Sequence, residues 1–304
     1  LRITEGVISE ISTNSNLEPR DGELVHDAKG LYLLPGVIDP QVHFRDPGQP
    51  EKEDLCSGSR AAASGGVTSF LDMPNNVPSQ TTLQSMYEKL ETASNRCITN
   101  YGFFIGATES NVEELQKAVG TPDSPIAIPG ICGIKIFMGS STGDLLVNES
   151  NALKTIFDNT AGLIAVHAED EERLKDRFKF YNKYNDARYH PIWRDPKSAL
   201  LATKKIMDIA NKADRPLHIL HISSALEMKL LQRKSRLISV EVTPQHLTLN
   251  SPECYNKLGT FAQMNPPIRS KYHQNELWKG IKNGTVDVIA VSYTHLTLPT
   301  ILLV

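Results

Sequence analysis

The chain has 304 residues, a formal net charge of −3 and scattered basic residues, so its charge gives no reason to expect nucleic acid or an anionic membrane as a partner. A small-molecule ligand is favoured instead. The length allows one large core or two modest ones.

Cysteine usage and hydropathy predict the compartment. The four cysteines lie far apart and form no C-x-x-C pair, which argues against a disulfide framework and a cysteine zinc knot. No apolar run reaches the roughly 18 residues needed to span a bilayer, and the first residues do not resemble a signal peptide. We therefore expect a cytoplasmic protein.

Residues 1–35 show strand-like alternation. In "LRITEGVISEISTN" the pattern surrounds a turn at Glu5 and Gly6, and "GELVHDAKGLYLLPG" continues it. This segment is predicted to form small antiparallel strands and is too short to fold alone.

From Gly36 onward, apolar runs alternate with helical or loop stretches, as in a parallel sheet covered by helices. In chain order, the eight runs are "GVIDPQVHF", "GVTSFLDM", "NYGFFIGA", "CGIKIFM", "GLIAVHA", "PLHILHIS", "ISVEVTP" and "VDVIAV". Eight strands alternating with helices predict an α/β protein with a (β/α)8 barrel over residues 36–290. A doubly wound open sheet is the alternative.

The positions of polar residues favour the barrel. Six polar side chains lie at or just beyond the C-terminal ends of six different runs: His43, Asn75, Lys135, His167, His221 and His246. In a barrel these ends meet at one mouth, whereas an open sheet spreads them along a crevice.

Lys135, in "GIKIF", is predicted to point into the barrel, where a bare ammonium group is strongly disfavoured. One explanation is a buried salt bridge to a neighbouring strand. The other is an amine that desolvation neutralises, so that it reacts with carbon dioxide and becomes a carbamate able to bridge two metal ions. The second explanation requires histidines nearby.

Three histidines meet that requirement, since His43, His167 and His221 each end a predicted strand. Neutral imidazoles are common zinc ligands, and catalytic sites leave a position open for water. Any one of them alone is more often a core or surface histidine. His218 precedes His221 by three residues and is predicted to face the other way, in a structural role.

Seven segments resemble, in order, the motifs of the dihydroorotases of the amidohydrolase superfamily. They are "DPQVHFRDPG", "DMPNNVPSQTT", "GIKIFMGSSTG", "VHAED", "LHISSA", "EVTPQHL" and "MNPPIR". The resemblance implies a barrel with a small β-sandwich built from the chain ends, incomplete here at both ends. It also implies a zinc centre of one or two ions with a carbamylated lysine as ligand, which bridges the ions where two are bound. The implied reaction is the reversible hydrolysis of dihydroorotate to N-carbamoyl-aspartate.

The resemblance also assigns roles to individual residues. It places Lys135, His43, His167 and His221 at the metal, and Arg45, Asn75, Asn265 and His246 at the substrate. Arg45 suits a substrate carboxylate, and Asn75 could complete its hydrogen bonds. Without the resemblance, an ion pair of Arg45 with Asp46 or Glu53 is the simpler interpretation.

Two departures from the family pattern bear on activity. Gln41 stands where the family usually has histidine, and a neutral amide oxygen is a poorer zinc ligand, so one metal is expected to bind weakly or not at all. After Ala290 the family has a strand-eight aspartate that accepts the proton, and residues 291–304 contain no aspartate. Asp287 comes too early, and the sequence around His295 has no counterpart in the family.

Residues 291–304 are therefore predicted to be an atypical tail. The chain as given is predicted to be weakly active, because general acid–base catalysis typically raises the reaction rate by about 10² to 10⁴-fold. Two alternatives stay open. One is a non-catalytic relative acting as a binding or assembly subunit; for this relative and for an active dihydroorotase alike, the macromolecular partners considered are a second copy of the chain, as a homodimer, and aspartate transcarbamoylase. The other is a hydantoinase-like or allantoinase-like enzyme.

Overall fold

The structure is a computed structural model, which describes residues 1–13, 17–139 and 145–290. These residues divide into two compact units, Leu1–Pro35 and a larger one that begins at Gly36. Residues 291–304, on which the predicted atypical tail and His295 fall, lie outside the described part of the chain. Within the described ranges, no helix is both long enough and apolar enough to cross a membrane.

The first unit contains one antiparallel strand pair, β1 (Arg2–Thr4) and β2 (Val7–Glu10). The predicted turn between them is present, with left-handed backbone at Glu5 (φ 51°) and Gly6 (φ 77°). Such φ values twist a two-residue hairpin in the same sense as its strands. The strands predicted over residues 22–36 are not formed: this segment contains no strand and pairs with no other strand in the described residues.

The second unit is built on one sheet of eight parallel strands. In spatial order they are β3 (Val37–Val42), β4 (Val67–Asp72), β5 (Asn100–Gly106), β8 (Ile131–Phe137), β9 (Ile164–His167), β10 (Leu217–Ile219), β11 (Ile238–Val242) and β12 (Val288–Ile289). A short antiparallel ribbon, β6 (Gly120–Thr121) with β7 (Ser124–Pro125), precedes β8. Each of the eight predicted runs overlaps one of these strands, and the bounds of the fourth differ from those of β8 by one residue.

The sheet curls into the predicted barrel. Met73 and Leu220, which follow β4 and β10, pack together with Phe104 and Ala165 in one buried cluster. Three strands separate β4 from β10, so in a flat sheet they would lie about 19 Å apart. His43, which follows β3, lies close enough to His221, which follows β10, for its charge to lower the His221 pKa, although four strands separate β3 from β10. This proximity requires a curved sheet, and the barrel is confirmed over the open-sheet alternative.

Helices cover the outside of the barrel. They are α1 (Leu55–Ser64), α2 (Leu83–Arg96), α3 (Val112–Val119), α4 (Ser150–Asn159), α5 (Glu171–Tyr181), α6 (His190–Trp193), α7 (Pro196–Lys212), α8 (Ala225–Leu231), α9 (Pro244–Thr248), α10 (Glu253–Leu258) and α11 (Lys271–Lys282). The main core lies between these helices and the outward faces of the strands. Because this packing fixes the strands, side chains at their C-terminal ends are held in defined positions.

Candidate active site

Lys135 lies on β8 and is fully buried. Its Nζ has no hydrogen-bond partner among the described residues and lies 4.4 Å from the centre of the Phe137 ring. Burial lowers the pKa of this amine well below its usual value, although Glu241 opposes the shift. The salt bridge considered above needs a bonded carboxylate, which the described chain does not supply. Burial therefore favours the neutral form of this amine, which lies at the barrel mouth.

His167 and His221 meet beside this amine. Nδ1 of His167 lies 3.1 Å from Nε2 of His221, and both rings are buried. Burial lowers the pKa of both imidazoles, so both are neutral near pH 7. Two imidazole nitrogens on one tetrahedral zinc ion, each about 2.0–2.1 Å from it, lie roughly 3.3 Å apart. The observed separation is close to that value.

His43 follows β3 and is also buried. Its Nδ1 donates to Oδ1 of Asn75 over 2.7 Å, which places the lone pair of the neutral ring on Nε2. Burial and then the charge of Arg45 lower the His43 pKa far below its usual value. Gln41, on the same strand, is 1% exposed, and its Oε1 has no hydrogen-bond partner in the described structure.

Arg45 lies two residues beyond His43, and its Nη1 donates to the backbone carbonyl of Asn75 over 3.3 Å. Asn75 thus contacts both predicted site residues, His43 through its side chain and Arg45 through its backbone. Of the two acidic partners considered for Arg45, Asp46 pairs with Arg96 at 2.9 Å.

A buried polar network holds the peptide between these two site residues, and the sequence analysis missed it. The backbone N–H of Phe44 donates to Asp72 Oδ1 (2.9 Å), and its carbonyl accepts from Asn76 Nδ2 (3.1 Å). Lys89, from α2, donates to both Asp72 Oδ2 and Asn76 Oδ1 over 2.7 Å. The network therefore fixes the backbone from which both site residues project.

Replacing Lys89 with methionine should destabilise the protein by about 3–5 kcal/mol, because it leaves the carboxylate of Asp72 buried and uncompensated. The double variant Lys89→Met with Asp72→Asn removes both charges and should regain most of that loss. Urea unfolding of the metal-free protein measures both effects. Equal stability of the wild type and Lys89→Met would contradict the assignment of a buried ion pair.

The two remaining predicted substrate residues lie in and beside one loop. His246 is buried, with Nε2 donating to the Pro266 carbonyl (3.0 Å) and Nδ1 bonded to the Thr243 hydroxyl (2.7 Å). His190 donates to the Met264 carbonyl over 2.9 Å. The two imidazoles thus hold the carbonyls on either side of Asn265. Since both ring nitrogens of His246 bond to the protein, its contact with substrate stays a prediction.

The predicted orientation of His218 is wrong. In the parallel register Lys135 neighbours Ala165, which neighbours His218, so the His218 side chain faces the barrel interior as Lys135 does. Its Nε2 bonds Glu241, whose other oxygen accepts from the His221 backbone N–H. Strict alternation fails because β10 ends at Ile219 and His221 has a left-handed backbone (φ 40°).

Asp287 precedes β12 and lies at the opposite end of the barrel from this site. It accepts from Lys234 (2.5 Å) and from the Val240 backbone N–H (2.8 Å). This agrees with the prediction that it is not the strand-eight proton acceptor.

These residues fit a zinc ion held with a modified lysine. The described residues contain no group of three or more His, Cys, Asp and Glu side chains arranged to hold a metal. The buried polar atoms without hydrogen-bond partners within the described ranges nevertheless include two of the predicted ligand atoms, Lys135 Nζ and Gln41 Oε1. Such atoms are rare in proteins, and a bound ion is one explanation for them.

Comparisons with known proteins agree with the fold. A dihydroorotase from Methanosarcina mazei is 30% identical over 299 residues, covering 95% of this chain and 63% of the relative. An allantoinase from Streptomyces avermitilis is 29% identical, with 92% and 63% covered. The chain therefore spans under two thirds of the length of these relatives.

Among solved structures, a dihydropyrimidinase from Brevibacillus agri matches with a TM-score of 0.78 and 26% identity, over 94% of this chain and 63% of that protein. This match agrees with the barrel described above. The model of the amidohydrolase family matches residues 32–234, which is more than half of the sequence. The chain therefore belongs to the amidohydrolase family.

Proposed function

We propose that this chain carries the active site of a zinc-dependent dihydroorotase, which interconverts dihydroorotate and N-carbamoyl-aspartate. One observation carries the proposal most: the fully buried amine of Lys135 has no hydrogen-bond partner in the described chain, burial lowers its pKa, and it lies close enough to His167 and His221 for its charge to lower theirs. A structural lysine in a barrel interior would need a carboxylate partner, whereas a lysine that forms a carbamate needs a neutral amine.

The residues that would hold zinc are Lys135 as its carbamate, His167, His221 and His43, with Gln41 as a weak fifth donor. Bound zinc would supply an electrophile for the ring carbonyl and lower the pKa of water. The neutral states of the three imidazoles support this assignment, because a protonated ring cannot bind a metal. A glutamine oxygen in place of an imidazole favours one tightly held zinc ion over two.

The remaining residues would bind and orient the substrate. Arg45 presents a planar, charged donor that matches a carboxylate, and dihydroorotate carries a carboxylate on its ring. Asn75 fixes both Arg45 and His43, so it would couple the position of the carboxylate to that of the metal. Asn265, between two anchored carbonyls, would contact the ring from a rigid loop.

Proton transfer is the step for which the described residues supply no matching group. The carbamate and the imidazoles would be committed to the metal, and Asp287 is bonded elsewhere. We therefore expect slow turnover by the chain as given, about 10² to 10⁴-fold below that of an enzyme with its acid–base group.

A second candidate is hydrolysis of an uncharged cyclic amide, such as allantoin or a hydantoin. The similarity to the Streptomyces avermitilis allantoinase favours this candidate. Arg45 argues against it, because a charged guanidinium at the mouth has no carboxylate to bind in those substrates.

The test is a comparison of three substrates with stoichiometric amounts of zinc-loaded protein, so that slow turnover can be measured. Dihydroorotate should be hydrolysed faster than hydantoin and allantoin, and Lys135→Met should hydrolyse none of them. Faster turnover of hydantoin or allantoin would replace the proposal with the second candidate. If the wild type binds zinc but hydrolyses none of the three substrates, a non-catalytic subunit would be favoured.

A further inference from the structure

A buried ion pair lies behind the contact between His167 and His221. Oε2 of Glu169 accepts from Nε2 of His167 over 3.0 Å and also from the guanidinium of Arg194. Glu169 is fully buried, and Arg194 is 1% exposed. Because one carboxylate oxygen serves both donors, the position of the imidazole depends on the position of the arginine.

The backbone around both charged residues is fixed. Next to Glu169, Asp170 caps α5 through its side chain, and its N–H donates to the Ser198 carbonyl on α7 over 3.0 Å. Arg194 lies between α6 and α7, and its carbonyl accepts from Arg269 over 2.8 Å. The carboxylate and the guanidinium are therefore both held by packed helices rather than by flexible loops.

The charge on Glu169 selects one tautomer of His167. Oε2 of Glu169 forms an ion pair with the guanidinium of Arg194, and a carboxylate paired with a guanidinium is ionised. An ionised carboxylate can only accept, so the His167 ring donates in this hydrogen bond through Nε2. Its proton therefore resides on Nε2, and the lone pair of Nδ1 points at Nε2 of His221.

We infer that Glu169 and Arg194 are positioning residues, which hold the ring of His167 with Nδ1 directed at the metal position. The inference rests on the proposed function, because it assumes that His167 binds zinc. A carboxylate that accepts a hydrogen bond from the second ring nitrogen of a ligand histidine orients the ring and raises its basicity. Loss of such a carboxylate typically weakens metal binding by about 10 to 100-fold. Arg194 acts one step further out, by keeping the carboxylate charged and in place.

A purely structural role makes a different prediction. If the pair served only to join α5 to the segment before α7, its loss would lower the stability of the fold and leave zinc affinity unchanged. Glu227 provides the matched control, since it is 2% exposed and bonds Ser224 and Thr203 but no imidazole.

The experiment compares zinc dissociation constants of the wild type, Glu169→Gln and Glu227→Gln by competition with a coloured chelator. We expect about 10 to 100-fold weaker binding for Glu169→Gln and little change for Glu227→Gln. Equal affinities of wild type and Glu169→Gln would overturn the inference alone. A wild type that binds no zinc would overturn the proposed function and the inference with it.

A second measurement needs no variant of the pair and no metal. Long-range ¹H–¹⁵N correlation spectra of the metal-free wild type report which ring nitrogen of His167 carries the proton. The inference requires the Nε2–H tautomer near pH 7. A His167 ring protonated on Nδ1 would overturn it even if Glu169→Gln failed to fold.

Discussion

Replacing Lys135 with methionine should abolish zinc binding and at the same time make the metal-free protein more stable. Methionine has a similar shape but cannot form a carbamate. Zinc affinity should therefore fall by more than the roughly 100-fold caused by losing a residue that only hydrogen-bonds to a metal ligand. The gain in stability follows because the Lys135 amine is buried without a hydrogen-bond partner in the described chain. An unsatisfied buried donor costs about 1–3 kcal/mol.

The stability gain should also depend on pH. The Lys135 pKa is lowered on folding, so below the unfolded value of about 10.4 the unfolded chain binds more protons than the folded one. The free energy of unfolding of the wild type should therefore rise with pH relative to Lys135→Met, by up to about 1.4 kcal/mol per pH unit, and level off above about pH 10.4.

Urea unfolding of both proteins, free of metal and carbon dioxide, from about pH 7 to pH 10 checks this expectation. The advantage of Lys135→Met should shrink as the pH rises. A variant that is less stable than the metal-free wild type at every pH would show that Lys135 has a stabilising structural partner.

Replacing Arg45 with methionine should weaken binding of N-carbamoyl-aspartate by about 100-fold, with zinc binding unchanged. Truncating one partner of a buried, charged hydrogen-bonded pair typically costs about 2–5 kcal/mol. Calorimetric titration measures both affinities, with N-carbamoyl-aspartate added to zinc-loaded protein and zinc added to metal-free protein. Hydrolysis of hydantoin, which carries no carboxylate, should be the same in the variant and the wild type.

Asn75 gives the control for this substitution. Asn75→Ala removes the side-chain bond to His43 and keeps the backbone carbonyl that holds Arg45. It should weaken zinc binding more than Arg45→Met does, and ligand binding less. Unchanged affinity for N-carbamoyl-aspartate in Arg45→Met would refute the carboxylate role.

The fold was predictable because its main signal is local. Each barrel strand is a short apolar run such as "CGIKIFM", and the turn at Glu5 and Gly6 follows from a two-residue pattern. The strands expected over residues 22–36 were wrong, since a strand also needs a partner and alternation alone does not supply one.

Part of the candidate site was predictable for the same reason. Lys135 lies near the C-terminal end of a strand, His167 ends a strand and His221 follows one, and parallel strand ends meet in a barrel. The orientation of His218 was not predictable, because a single left-handed residue at His221 breaks the alternation on which the prediction depended.

The supporting residues could not be found from the sequence. Lys89 contacts Asp72 from 17 positions away, and Arg194 contacts Glu169 from 25. Each lies on or beside a helix whose pattern predicts only a charged surface residue. Their burial depends on how helices pack on the barrel, which no local pattern encodes.

The most direct test of the proposed site is a crystal structure of the chain grown with zinc and bicarbonate, with anomalous diffraction recorded at the zinc edge. We expect a zinc peak bonded to His167 and His221, and carboxylate density extending from Nζ of Lys135. An unmodified Lys135, with zinc absent from these histidines or bound elsewhere, would contradict the carbamate-bridged site on which the proposed function depends.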